Sequence, residues 1–186
     1  MSVKLNSFVL SDNIIKKMDI QLNKTRDIGI EHGFNLCKDN DNITVKDECT
    51  GTTCEIKIMR ECSNQEITPK IGDYHTHPRG TSEMSIMDMK RACLFDIKCI
   101  GAAANNSIKC FIRKKVKYPE KCSKEMDAII KKRDVLARNA EILRTNRSML
   151  FKENEIKVRQ HNEKVSDSIR KIARIKDIYF EGITIR

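Results

Sequence analysis

The apolar positions of the first 115 residues follow two periods. Four of them recur at intervals of three and four and predict an amphipathic helix over residues 12–25, after a short strand near residues 3–8: Ile14, Ile15, Met18 and Leu22. Short apolar runs bounded by Asn, Asp, Gly and Thr predict strands at 28–37, 43–46, 54–59, 70–77, 99–104 and 107–113. A second helix is expected from about residue 85. Strands mixed with helices in this order predict an α/β or α+β fold with a mixed central sheet flanked by helices.

The pattern changes at Pro119. No Pro or Gly occurs between Glu120 and Glu181, and helix formers dominate, so residues 119–178 are predicted to be helical. A seven-residue repeat typical of a coiled-coil seam runs through Cys122, Ile129, Leu136, Leu143 and Leu150, and it resumes one residue out of phase at Val158, Val165 and Ile172, accompanied by Ile169. Arg133, Arg147 and Asn154 interrupt the alternate positions.

A single rod of this length would reach about 85 Å, far more than a domain of this size spans. Two arrangements therefore remain open: two helices that fold back as a hairpin, with a break near residues 144–154, or helices that pair with a partner chain. Residues 178–186 are predicted to return as a final strand. The chain thus divides into a domain at 1–115, a basic helical region at 119–178 and this strand.

Charge is distributed unevenly between these regions. Residues 1–112 carry 15 Lys and Arg against 15 Asp and Glu, whereas residues 113–186 carry 21 against 11, so the whole excess of +10 lies in the second part. This basic region is either a docking surface for nucleic acid or an acidic protein, or simply a solvated helical face. Aromatic residues that would stack on bases do not alternate with the basic ones.

Neither an opening signal segment nor a run of about 18 apolar residues is apparent, which predicts a soluble, cytoplasmic protein. In that compartment the eight cysteines are expected to be reduced or buried thiols. No CxxC pair occurs, and a second zinc site built from Cys49, Cys54 and Cys62 is disfavoured.

The residues with the clearest chemistry lie between positions 75 and 88. His75 and His77 are two apart on a predicted strand and therefore point to the same face, and Pro78 ends that strand. Ser85 or Ser82 suits the N-cap of the next helix, and Asp88 then lies about one turn into it, on the same face as Ser85. Two imidazoles, one carboxylate and an open position are typical of a catalytic Zn²⁺ site.

Such a site also needs a general base that does not bind the metal. Glu31, which lies in the predicted strand 28–37 together with Gly33, is the candidate, and a solvent-facing Glu31 is the alternative. Ser85 with Asp88 is also an ordinary N-cap followed by an acidic residue in the first turn, a role that is compatible with catalysis.

These residues resemble the signature of the JAMM or MPN-plus metalloproteases: an upstream Glu-x-x-Gly-x-Leu, then His-x-His-Pro and, seven residues on, Ser-x-x-Asp. The segment from Glu31 to Leu36 is a near fit, with Gly33 two rather than three residues after the glutamate, and Leu36 lacks the glycine that often follows two residues later in the family. The residues from His75 to Asp88 fit without a gap. The order of elements over residues 1–115 is also similar.

The resemblance implies a JAB/MPN core, which is cytidine-deaminase-like, and hydrolysis of peptide or isopeptide bonds in conjugates of ubiquitin-like modifiers. It implies that His75, His77 and Asp88 bind Zn²⁺, that Glu31 is the general base and that Ser85 donates a hydrogen bond to the oxyanion. The C-terminal helices would hold a homo- or hetero-oligomer. Two alternatives are a non-catalytic scaffold of the MPN fold and a protein that associates with nucleic acid through its basic region.

Overall fold

The structure is a computed structural model, and it describes residues 2–5, 8–40, 42–52, 62, 69–115, 117, 120–145 and 151–186. These form two compact units: Met1–Lys114 together with Phe180–Arg186, and Lys115–Tyr179. In chain order the elements are β1 (Val3–Leu5), β2 (Phe8–Leu10), α1 (Asp12–Ile28), β3 (His32–Asp39), β4 (Asn42–Thr50), β5 (Lys70–His77), α2 (Ile86–Ala92), β6 (Ile97–Ala102), β7 (Ser107–Arg113), α3 (Glu120–Thr145), α4 (Phe151–Tyr179) and β8 (Phe180–Thr184).

The first unit is built on a mixed sheet in the order β4-β3-β5-β6-β7-β8, and β1 and β2 pair as a separate hairpin. Strands β5 and β6 run parallel, while the other neighbours in the large sheet are antiparallel. Helix α2 connects the two parallel strands, as a parallel pair requires a crossover. The predicted mixed sheet with flanking helices is therefore confirmed.

Helix α1 covers one face of this sheet. It begins after Ser11 and ends at Gly29, whose φ of 71° is the left-handed conformation that favours glycine at a helix end. Buried residues at helical spacing pack with the apolar side chains of β3 and β5: Ile14, Met18, Leu22, Phe34, Leu36 and Tyr74. The Tyr74 hydroxyl donates a hydrogen bond of 2.9 Å to the Met18 carbonyl. This contact fixes which face of β5 turns toward α1.

The other face of β5 carries polar residues. Because side chains alternate along a strand, Asp73, His75 and His77 point away from Tyr74. All three are on the face that Asp88 of α2 approaches. Lys98 of β6 lies opposite Asp73 in the parallel register and shares this face.

Several element boundaries differ from the prediction. The expected strand at 3–8 is a two-stranded hairpin, and the first helix continues to Ile28 because Gly29 is the first residue to leave the helical conformation. The strand expected at 43–46 extends over Asn42–Thr50. The apolar pattern missed its outer residues because they are not apolar and are held in the strand by pairing with β3. The strand expected at 54–59 lies outside the described residues.

Disulfide bonds among the described residues contradict the expectation of reduced thiols. Cys37 is joined to Cys62, and Cys99 is joined to Cys110. Cys99 and Cys110 stand directly opposite each other in the register of β6 and β7, which only strand pairing reveals. Cys49 is a free thiol, and Cys54 lies outside the described residues.

The second unit is an antiparallel pair of helices. Ile129 and Ile175 line one pocket between α3 and α4, and Ile142 and His161 line another. Buried or half-buried positions recur along both helices, mostly at intervals of three and four: Cys122, Met126, Ile129, Leu136, Ala140, His161, Val165, Ser168, Ile172, Ile175 and Tyr179. Of the two open arrangements, the chain adopts the hairpin.

The predicted seam was partly wrong in α4. Val158 and Ile169 are exposed at 40% and 61%, and the contact runs instead through Ser168 and Ile175, which are buried. Packing against α3 decides which side of α4 is buried. The seven-residue repeat alone does not predict this. The side chains of Leu143 and Leu150 lie outside the described set.

None of the helices in the described parts of the chain combines the length and the apolar character that crossing a bilayer requires.

Candidate metal centre

The strand register brings residues from two distant segments to the end of β5. Gly33 pairs with His75 and His32 with Thr50, so the chain just before β3 runs beside the end of β5. The Thr76 hydroxyl accepts a hydrogen bond from the His32 amide at 2.8 Å and donates to the His32 carbonyl at 3.1 Å. Thr76 thus ties His32, the residue after Glu31, to the histidine strand.

Helix α2 supplies the carboxylate. The Ser85 hydroxyl accepts from the Asp88 amide at 3.1 Å, and Asp88 Oδ2 accepts from the Ser85 amide at 3.0 Å. This reciprocal pair is a capping box and satisfies two amides at the helix start. Ser85 therefore caps the helix, and the second carboxylate oxygen of Asp88 is directed toward β5.

His75, His77 and Asp88 converge on one point. The two Nε2 atoms are 3.0 Å apart. His75 Nε2 lies 3.2 Å from Asp88 Oδ1, and His77 Nε2 lies 3.6 Å from Asp88 Oδ2. One possible ligand atom from each residue falls within 4.8 Å of the others, so the three can bind a single ion.

The histidines differ in their second nitrogen. His77 Nδ1 lies 3.0 Å from the Thr81 carbonyl, and an N–H donated there leaves the lone pair of Nε2 directed into the cluster. His75 Nδ1 is buried and has no hydrogen-bond partner among the described residues. Burial, aided by nearby Lys98, lowers the pKa of His75 to about 3, so this imidazole is neutral at physiological pH.

The Asp88 carboxylate is ionised in this site. Burial alone would raise the pKa of Asp88, but the neighbouring His75, the hydrogen bond to His77 and the Lys98 ammonium outweigh it and hold the pKa well below the usual range. Burial alone would lower the pKa of His77, yet its contacts to Asp88 and Thr81 raise that pKa. The cluster therefore contains a carboxylate and a neutral His75, both of which are suited to metal binding.

Glu31, the predicted general base, is 7% exposed and precedes β3. Its backbone is held by two hydrogen bonds of 2.8 Å, from its amide to the Thr52 carbonyl and from the Gly51 amide to its carbonyl. Burial raises the pKa of the Glu31 carboxyl, and His77 and Asp88 both act on it electrostatically. The structure thus brings Glu31 to the cluster, although it is not within the three-residue group.

Ser85 is exposed, unlike the three clustered residues. Its oxygen accepts from the Asp88 amide, so its own hydroxyl hydrogen remains to donate to another group. His161 lies on α4 in the helical unit. His32 lies beside Glu31, with Nδ1 3.4 Å from the Thr50 hydroxyl.

Lys98 and Asp73 belong to the site but were not predicted from the sequence. Lys98 is 1% exposed, and its ammonium contacts Asp73 and lies 3.6 Å from Asp88 Oδ1. Lysine is almost never buried to this degree without a charged partner. One sequence feature could have indicated the role of Lys98, namely its position inside the apolar run from Ile97 to Ala104. Parallel strands at the centre of a sheet are usually apolar throughout, so a lysine there is unusual.

The donor set fits a divalent cation. Two imidazole nitrogens and a carboxylate, already 3.0 to 3.6 Å from one another, match the ligands of zinc sites that keep one position open. The hydrogen bond from His77 to Thr81 gives the outer support that metal-binding histidines generally have.

The chain matches no model of a known protein family. A search of the curated proteins also finds no match. The case for a function therefore rests on the site.

Proposed function

We propose that this protein is a zinc-dependent hydrolase of the JAMM type, which cleaves peptide or isopeptide bonds in conjugates of a ubiquitin-like modifier. The observation that carries the proposal is the convergence of His75, His77 and Asp88, with Glu31 buried nearby. A scaffold needs neither a ligand cluster nor a buried carboxyl beside it. The resemblance of these same residues to the JAMM signature supplies the reaction class.

Each residue has a role that its surroundings favour. His75, His77 and Asp88 would hold the cation, which when bound supplies Lewis-acid activation of a water and of the scissile carbonyl. Glu31, with its raised pKa, is suited to take a proton and return it to the leaving amine. The Ser85 hydroxyl would donate to the oxygen that becomes negative.

The rest of the chain fits this proposal in outline. The sheet and its two helices would form a JAB/MPN-like core, and the three-four spacing in the helical unit would make it a coiled coil. This basic unit would serve assembly, as a homo- or hetero-oligomer, in the cytoplasm. Its basic charge then selects partners and takes no part in the chemistry.

The test is metal analysis of the purified chain combined with cleavage of a panel of modifier fusions and isopeptide conjugates. We expect one Zn²⁺ per chain and cleavage of at least one conjugate. Glu31→Gln should retain the metal and lose turnover by a factor of at least about 10². Asp88→Ala should lose both.

Glu163→Gln is the matched control, because it makes the same change on the exposed surface of α4. It should leave both metal content and cleavage unchanged. A chain that binds no metal and cleaves no conjugate would overturn the proposal. Full activity of Glu31→Gln would remove Glu31 from the mechanism but leave the metal site intact.

A further inference from the structure

Four buried side chains of alternating charge form a row that ends at the cluster of His75, His77 and Asp88. Lys70 Nζ is 3.5 Å from Asp73 Oδ2, Asp73 Oδ1 contacts Lys98, and Lys98 lies 3.6 Å from Asp88 Oδ1. All four side chains are at most 9% exposed. Burying a charge in this way is costly unless its partners are well placed, so the row is expensive to maintain for stability alone.

The two oxygens of Asp88 have different neighbours. Oδ2 accepts from the Ser85 amide, which ties that oxygen to the start of α2. Oδ1, which is 3.2 Å from His75 Nε2, faces the Lys98 ammonium from β6. The carboxylate is therefore held from two elements, by a backbone N–H on one side and by a buried cation on the other.

Lys98 is itself fixed on the sheet. It stands opposite Asp73 in the parallel register of β5 and β6, and Asp73 is two residues before His75. The contact between Lys98 and Asp73 therefore ties the Asp88 support to the same strand that carries both histidines. The β5–β6 pairing holds the backbone that carries the ammonium beside the backbone that carries the two imidazoles.

We propose that Lys98, anchored by Asp73, is a positioning residue that holds the Asp88 carboxylate in the orientation needed to bind the cation. This inference rests on the proposed metal site. It assigns Lys98 no contact with substrate and no proton transfer. Outer-shell partners of metal ligands typically change metal affinity by about 10 to 100-fold when they are removed.

The test uses the double variant Asp73→Asn with Lys98→Met in the full chain. Removing both charges together leaves the net charge near the cluster unchanged, so the remaining effect reports on the orientation of Asp88. We expect the zinc Kd, measured by chelator competition, to rise about 10 to 100-fold. The visible spectrum of the Co²⁺-substituted protein should also change, because its bands depend on ligand geometry.

The matched control is Asp96→Asn with Arg113→Met. It removes another acid–base pair of the same unit, joined at 2.7 Å, which within the described residues is not hydrogen-bonded or ion-paired to the histidines or Asp88. This control should keep the wild-type zinc Kd and cobalt spectrum even if it lowers Tm. A folded Lys98 double variant with wild-type Kd and spectrum would overturn the inference.

A second measurement keeps the inference testable if the double variant fails to fold. In the wild-type chain, the ¹⁵Nζ resonance of Lys98 should shift on addition of Zn²⁺, while that of Lys109 should not. An unchanged Lys98 resonance in protein that binds zinc would overturn the inference. Wild-type protein that binds no zinc would instead refute the metal site, which separates the two failures.

Discussion

At the scale of single residues, the decisive property of this site is burial of groups that prefer water. Glu31, His75 and Asp88 are each at most 7% exposed, and their different neighbours push their pKa values in different directions. Asp88 has Lys98 and the Ser85 amide to stabilise its charge. Burial dominates the pKa of Glu31 and raises it, although His77 and Lys98 favour the ionised carboxylate.

The raised pKa of Glu31 predicts a stability effect with a definite sign. An acid whose pKa is higher in the folded than in the unfolded state destabilises the fold at pH values above both. The metal-free Glu31→Gln variant should therefore have a Tm a few degrees above that of the metal-free wild type at pH 7. The gain should disappear as pH falls toward the ordinary glutamate value of 4.5.

Thermal unfolding followed by circular dichroism from pH 4 to 8 measures this difference. Glu163→Gln on α4 is the control, since its carboxylate is exposed and should give little change at any pH. A lower Tm for Glu31→Gln at pH 7 would mean that the fold stabilises the ionised carboxylate. Glu31 would then be a poor general base.

At the scale of elements, helix α2 links stability to the site. It has only seven residues, so its capping box is a large part of what holds it. Ser85→Ala removes the acceptor for the Asp88 amide and should cost about 1 kcal/mol of unfolding free energy. Ser85→Thr keeps both the acceptor and the hydroxyl hydrogen and should be close to wild type.

Ser85→Asp separates the cap from the proposed catalytic donor, because it retains an N-cap acceptor but has no hydroxyl hydrogen. We expect it to recover most of the stability lost in Ser85→Ala while cleavage stays about 10² to 10³ times slower than wild type. Urea unfolding and cleavage rates are the two measurements. Recovery of both by Ser85→Asp would show that Ser85 acts only as a cap.

Elements also mark the limit of what the sequence pattern predicts. His75 and His77 could be assigned to one face because a strand has a period of two, and Asp88 could be assigned to the first turn of a helix because Ser85 is a strong N-cap. The contact between Lys98 and Asp73 could not be predicted in this way. It depends on which strands pair and in which register, and no local pattern encodes that choice.

At the scale of the whole molecule, the helical unit is an insertion in a β-hairpin. Arg113, the last residue of β7, pairs with Phe180, the first residue of β8. Residues 114–179 can therefore be replaced by Asn-Gly, a two-residue turn that suits antiparallel strands. We expect this variant to fold and to bind zinc with the wild-type stoichiometry, as judged by circular dichroism and metal analysis.

The contrasting variant ends at Lys114 and lacks β8. It leaves the edge of β7 without its partner and removes the buried Phe180, so we expect it to aggregate. If the Asn-Gly variant also aggregated, the first unit would depend on the helical unit for folding. The Asn-Gly variant further tests the basic region, because any salt-sensitive binding to DNA or RNA should be lost with it.

The sequence by itself determined the local arrangement of this protein. Spacing alone identified His75, His77 and Asp88, the helix formers after Pro119 identified the helical region, and the apolar periods identified most strands. Each of these predictions depends on residues that are near one another in the chain. Over such short distances the backbone geometry of a helix or strand is regular, so residue spacing predicts which side chains share a face.

Only the tertiary structure decided the rest. Strand pairing brought Glu31 beside the end of β5, joined Cys99 to Cys110, set Lys98 against Asp73 and returned β8 to the sheet after the helical hairpin. Antiparallel packing selected which side of α4 is buried. These contacts join residues far apart in sequence, and their choice depends on the burial of the whole sheet, which no short segment specifies.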